Sequence, residues 1–133
     1  MSIEGNKAIV RRLFGRFVGS SGYLAVIDEV LAPDYVRHWA TGEDVRGLEV
    51  WRQIWQAFYA AFPEIEWIID DMVAEGDKVA VRFTGHGMQQ GEFANIGAPG
   101  KRMICKGNDL FRLAGGRIVE DWSQVQWMED TSI

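Results

Sequence analysis

Two aspartates, Asp109 and Asp121, flank a glycine pair in the stretch NDLFRLAGGRIVEDWSQ. Lys101 to Trp127 reads as a β-hairpin turning at Ala114-Gly115-Gly116. A three-residue loop, with Gly116 left-handed in a bulge, pairs Leu113 with Arg117. Counting back, Phe111 then faces Val119, Asp109 faces Asp121 and Gly107 faces Ser123. A two-residue loop instead puts Asp109 opposite Trp122. The first register is preferred because it collects Met103, Cys105, Phe111, Leu113, Val119, Val125 and Trp127 on one face with both acids. Like charges opposed across strands destabilise a sheet, so such a pair needs a cation or a proton between its members. A shared proton raises a carboxyl pKa. It also equips the pair to take a proton from carbon next to a carbonyl, or to return one to oxygen. The plainer alternative is that each Asp pairs with an Arg or lies near solvent.

Other residues could join that chemistry. His38 could orient a carboxylate or donate to a substrate oxygen, its ordinary pKa lying near neutrality. His86 shares a strand face with Arg82 and Thr84, and reaches a pocket only if a bulge at Gly85 switches the parity. Arg82 reads as structural. Trp39, Trp51, Trp55, Phe58 and Tyr59 could line a pocket for a flat ring system, although aromatic stripes at helical spacing usually serve the core. Phe111 lies on the acid face. Ser123 lacks the Ser-His-Asp arrangement that activates a nucleophile and reads as a hydrogen-bonding wall. Cys105 has no evident activating partner. Two His and one Cys without close spacing argue against a metal site.

The 133 residues suffice for one domain, 1–133, with a sizeable core. Six Trp, seven Phe and three Tyr exceed what a core of this size needs, which suits an aromatic cavity or a subunit interface. A net charge of −5 with scattered basic residues argues against nucleic acid or an anionic membrane as partner. The single cysteine excludes an intrachain disulfide and points to a reduced, cytoplasmic setting. No signal peptide is visible, and no stretch approaches the length of a membrane span.

The elements that must position these residues follow from periodicity. Glu4 to Ser20 reads as a helix with a stripe of Ile9, Val10, Leu13, Phe14, Phe17 and Val18, broken by Gly19-Ser20-Ser21-Gly22. Gly15 inside it has no account beyond close packing. Tyr23 to Leu31 reads as a second helix stopped by Pro33. Asp34 to Trp39 is a short extended run and Ala40 to Arg46 a loop. Gly47 to Phe62 is a third helix, aromatic along its stripe and ended by Pro63. The period then changes. Ile65 to Ala74 and Lys78 to Gly87 read as strands around a turn at Glu75-Gly76-Asp77. Met88 to Phe93 extends the second past a bulge near Gly85 or Gly87, Ala94 to Gly100 is a loop, and the MEDTSI tail is frayed. Helices followed by antiparallel strands predict an α+β domain, the helices packed on one face of a curved sheet.

Several strings then resemble the SnoaL-like polyketide cyclase and ester cyclase family, within the cone-shaped NTF2-like superfamily. NKAIVRRLF resembles its opening helix, and VIDEVLAPDYVRHW its second helix and a short strand ending in His. AAFPEIEWIIDDMVAEGDKVAVRFTG is the longest match. GEFANIGAPGKR resembles GEFxGIPPTGRR, and NDLFRLAGGRIVEDW the closing signature. The resemblance implies an NTF2-like cone with about three N-terminal helices and a pocket on the concave sheet face, and a homodimer through the outer face. It also implies cyclisation by acid/base chemistry with an Asp and nearby His, without metal or cofactor. The departures are specific. Ser123 stands where those cyclases have the Asp. Asp109 and Asp121 stand where they have His, and so does Gln89. Gly97-Ala98 replaces the proline pair. EDWSQ resembles the ester-cyclase branch more.

The sequence therefore predicts a cyclase- or isomerase-type acid/base enzyme acting on a small cyclic or polyketide-like molecule. Asp121, Asp109 and His38 are the proton-transfer candidates; Trp39, Trp55, Phe58, Tyr59, Phe111 and Ser123 are pocket candidates, with His86 secondary. The alternatives are a non-catalytic binding protein and a hydroxylation partner.

Overall fold

The computed structural model describes residues 2–17 and 19–132, without the side chains of Arg16, Ser20 and Ser21. Val18, expected in the first apolar stripe, lies outside the described residues. In chain order the elements are α1 (Ile3–Arg11), β1 (Gly15–Arg16), α2 (Gly19–Val30), β2 (Leu31–Trp39), β3 (Asp44–Arg46), α3 (Leu48–Ala61), β4 (Glu66–Glu75), β5 (Lys78–Met88), β6 (Arg102–Ala114) and β7 (Arg117–Glu129). The strands form one curved sheet in the order β1-β4-β5-β6-β7-β2-β3. All pairs are antiparallel except β2 with β7. The three helices pack on one face, as an α+β NTF2-like cone requires.

α1 starts where Ser2 caps it, the hydroxyl accepting from Gly5 N–H at 2.9 Å. It ends at Arg11, well short of Ser20. Gly15 is not a helical glycine: its φ of +125° is a value that glycine adopts freely, and it opens β1. α2 starts at Gly19, within the stretch expected to be a break. Leu31 already belongs to β2, so Pro33 sits inside a strand rather than just beyond a helix. Its missing N–H falls where the register with β7 is interrupted, between Leu31 and Val36. The end of the expected loop, Asp44–Arg46, pairs back on β2 as β3. β5 pairs with β6 without a break through Met88, so no bulge occurs at Gly85 or Gly87. The irregularity lies in β4, between Ile69 and Asp71. β7 runs through Met128 and Glu129, which removes them from the tail.

The hairpin takes neither expected register. Gly115 and Gly116, both at positive φ, form a two-residue turn. Ala114 pairs with Arg117 and Leu113 with Ile118. Then Arg112 pairs with Glu120, leaving Val119 as an extra residue. Beyond this bulge Phe111 faces Asp121 and Asp109 faces Ser123. The two acids are therefore diagonal rather than opposed. The bulge restores the parity that a plain two-residue loop would have reversed, so both point to the concave face. Val119 is half-buried, and Ile118 takes the core position expected of it.

The core fills the space between helices and sheet, with Ile27, Tyr35, Phe62, Ile65 and Phe111 at its centre. Two strand glycines make room for rings. A Cβ on Gly85 would lie 2.5 Å from the Trp67 indole, and one on Gly107 would lie 2.6 Å from Phe83.

Candidate active site

The concave face holds a cavity of about 310 Å³. α3 contributes Trp51, Trp55 and Phe58 to its wall, and the sheet contributes Trp39 and Phe111. Phe93 and Ile96 close one side from the loop after β5. That loop is tied at its base: Gly100 N–H donates to Gln89 O at 2.7 Å, and Gln89 N–H to Lys101 O at 2.8 Å. Inside it the buried Gln89 amide donates to the carbonyls of Gly91 (3.0 Å) and Ile96 (2.8 Å). Gln89 therefore braces the loop rather than facing the acids.

Among the described lining residues only Asp109 and Arg37 are charged. β2 alternates, so Tyr35, Arg37 and Trp39 face inward while Val36 and His38 face outward. The Arg37 guanidinium lies 4.4 Å from the ring centroids of both Trp39 and Trp51, a double cation–π contact. Its Nη1 donates to Asp121 Oδ2 at 2.7 Å and to Tyr35 Oη at 3.3 Å. Its Nη2 donates to Ser123 Oγ at 2.7 Å and lies 3.6 Å from Asp109 Oδ2. Tyr35 O–H donates to Asp121 Oδ2 at 3.2 Å.

One guanidinium thus serves two buried carboxyls. Asp121 is fully buried and Asp109 is 6% exposed. The Oδ1 atoms of both have no donor. Burial first, then the charge of Asp109, pushes the Asp121 carboxyl well above the carboxylate range, and Arg37 pulls the other way without prevailing. Burial works against the Arg37 charge, but Asp121, Tyr35 and Asp109 hold its pKa above the ordinary guanidinium value.

The expected residues divide by face. Asp109, Trp39, Trp55, Phe58 and Phe111 line the cavity, and Asp121 and Ser123 lie behind Asp109 on the same side. Tyr59 is buried against Trp67, whose indole N–H donates to its hydroxyl at 3.2 Å, and it does not line the cavity. His38 is not among the acids of the cavity. Its Nδ1 lies 2.8 Å from Asp44, its Nε2 lies 2.6 Å from Glu120, and its ring stacks on Trp122 at 5.3 Å. His86 is exposed on the outer face, because the unbroken β5 register never switches its parity. Arg82 lies 3.8 Å from Asp70, a structural placement. Cys105 lines the cavity as a buried thiol whose pKa burial pushes up to about 12.

Arg37 is the residue that sequence reasoning missed. The signal was the strand period itself. His38 and Trp39 are adjacent in DYVRHW and cannot share a face. Choosing Trp39 as a wall residue brings Arg37 inward with it.

A family model described as SnoaL-like polyketide cyclase matches residues 8–129. No curated protein sequence matches the chain. Among solved structures, a protein from Jannaschia sp. CCS1 provisionally assigned as a SnoaL-like polyketide cyclase is 26% identical, with a TM-score of 0.83 over 95% of this chain and 89% of that one. IdmH from Streptomyces antibioticus, provisionally assigned as a polyketide cyclase, is 29% identical, with a TM-score of 0.70 over 98% and 93% of the two chains. An LEH-like epoxide hydrolase from M. tuberculosis shares the fold at 14% identity, with a TM-score of 0.72 over 93% and 84%.

Proposed function

The chain belongs to the SnoaL-like polyketide cyclase family, and from that premise we propose that it is a cofactor-free acid/base enzyme acting on a small cyclic or polyketide-like substrate. The observation that carries this is the pairing of Asp109 and Asp121 over a single guanidinium at an otherwise apolar cavity wall. With one proton retained, the trio is electrically neutral, which a buried site favours. Asp109 reaches the cavity and exchanges a proton with the substrate. Asp121, sealed behind it, is its proton-sharing partner. Arg37, clamped by Trp39 and Trp51, keeps both carboxyls in place. Ser123 is a hydrogen-bonding support at the position of the usual cyclase Asp. The polyketide cyclase assignments of the Jannaschia protein and IdmH support this reaction class.

The second reading, a ligand-binding protein, draws on the same Arg37 contacts: acids held by a cation bind without turning over. The test captures ligands from a natural extract, identifies them by mass spectrometry and assays turnover by the native protein, Asp109→Asn and Asp121→Asn. Turnover by the native form that both variants lose supports the enzyme. Ligand bound and left unchanged by all three forms sinks it.

The same premise supports a homodimer through the outer sheet face. That face exposes Ile68, Val73, Leu110 and Trp122, more apolar surface than a monomer benefits from presenting. Light scattering on the native protein and on Val73→Lys/Trp122→Glu tests this. A native monomer contradicts it.

A further inference from the structure

Of the three tyrosines, two have hydroxyl partners. Tyr35 bonds to Asp121 and Arg37, and Tyr59 accepts from Trp67. Tyr23 has none among the described residues, although it is only 5% exposed and lines the cavity. Its hydroxyl is thus left without a protein partner among those residues at the cavity. The ring is not free to seek one. It packs on Phe17 (5.0 Å between centroids, edge-on), Trp55 (4.7 Å) and Tyr59 (5.2 Å). Tyr23 stands on α2 and lines the same cavity as Arg37 and Asp109.

We propose that Tyr23 is the hydrogen-bond donor to a carbonyl oxygen of the substrate, so that the cavity takes a compact, apolar, enolisable ketone between Tyr23 and Asp109. The inference rests on Asp109 being the proton-transfer group. Asp109 carboxylate takes a proton from the carbon beside the carbonyl. The C–H pair becomes the enolate C=C, and the carbonyl π pair moves to oxygen, where the Tyr23 O–H holds the developing charge. Return of a proton to carbon restores the ketone, so the exchange is balanced without a further reactant. Burial first, then the neighbouring Tyr59, raises the Tyr23 pKa well above the ordinary phenol value, so the group remains a donor throughout the neutral range.

The test uses 2-tetralone, a fused bicyclic ketone, and tetralin, the same shape without the oxygen. Deuterium incorporation beside the carbonyl is followed by NMR in D₂O, and binding of both probes by tryptophan fluorescence. The native protein should bind 2-tetralone and accelerate exchange. Tyr23→Phe should lower the exchange rate roughly 10²-fold, as for loss of an oxyanion donor. It should weaken ketone binding roughly tenfold while tetralin binding is unchanged. Asp109→Asn should abolish exchange and leave ketone binding in place. Exchange lost in Asp109→Asn but intact in Tyr23→Phe, with an unchanged preference for ketone over tetralin, overturns the Tyr23 assignment and leaves the acid/base reading standing. Native protein that binds the ketone through Tyr23 without exchanging it overturns the acid/base reading alone. Failure to bind 2-tetralone overturns the substrate class.

Discussion

Asp121 accepts a 2.7 Å hydrogen bond from Arg37, a residue 84 positions earlier in the chain. The contact joins the strand leaving α2 to the last strand of the sheet, through the parallel pairing of Arg37 with Asp121. It makes β2 part of the site, and it places the one inward cation among the described lining residues where both acids meet it.

Removing that cation should be costly. Arg37→Met leaves two carboxyls buried without a counter-ion, and loss of one partner of a buried pair typically costs about 3–5 kcal/mol. The loss should shrink in acid, where protonated carboxyls no longer need the charge. Urea unfolding at acidic and at mildly alkaline pH reads both values, and equal losses at the two would remove the ionic account.

Asp121 should make the native protein less stable as pH rises. Its folded pKa is raised, so between the unfolded and the folded values the native state binds more protons than the unfolded state. The slope of stability against pH is therefore negative across that window. Asp121→Asn does not titrate and should flatten the decline. Parallel stability–pH curves for the two forms would contradict the assignment.

His38 should titrate above the ordinary imidazole range. Its hydrogen bond to Glu120, helped by that to Asp44, outweighs the desolvation penalty. Both ring nitrogens face carboxylates, an arrangement satisfied only when both carry protons. Arg112 also binds Glu120 at 3.0 Å, and Arg46 binds Asp44 at 3.0 Å. With the folded pKa raised, the clasp stabilises fully below the unfolded imidazole value and is lost as pH rises through the folded one. Its acid limit follows from Glu120, whose folded pKa is lowered mainly by His38: that share is lost as pH falls through the lowered value. NMR titration of the ring should show the elevated midpoint, and Glu120→Gln should bring it down.

Gly85→Ala and Gly107→Ala should each destabilise by about 1–3 kcal/mol through overpacking. The new methyl groups would meet the Trp67 ring at 2.5 Å and Phe83 at 2.6 Å, with Val125 and the Gln124 carbonyl also crowding the second. Chemical denaturation measures both, and a neutral result would mean that the rings have room to withdraw.

Much of the architecture was legible locally. The change of period at Pro63, the aromatic stripe of α3, the β4–β5 turn and the glycine hairpin all follow from neighbouring residues. The α1–α2 junction was not, because Gly15 and Gly19 look alike in sequence. One opens a strand at positive φ and the other starts a helix, a choice made by pairing with β4 and packing on α3.

By itself, the sequence placed Asp109 with Phe111 on one strand face, because alternation within a strand is a local property, but whether Asp121 shares that face depended on the hairpin register, which it left open. It determined the family as well. Only the tertiary structure decided which partner each acid has. The bulge at Val119 reverses the parity set by the two-residue turn and so brings both acids to the concave face, and a bulge is settled by the fit of a whole strand against its neighbours. Arg37 enters the site for the same reason. Its strand is parallel to β7, and that pairing is fixed by how the chain folds back between them rather than by any residue close to the acids.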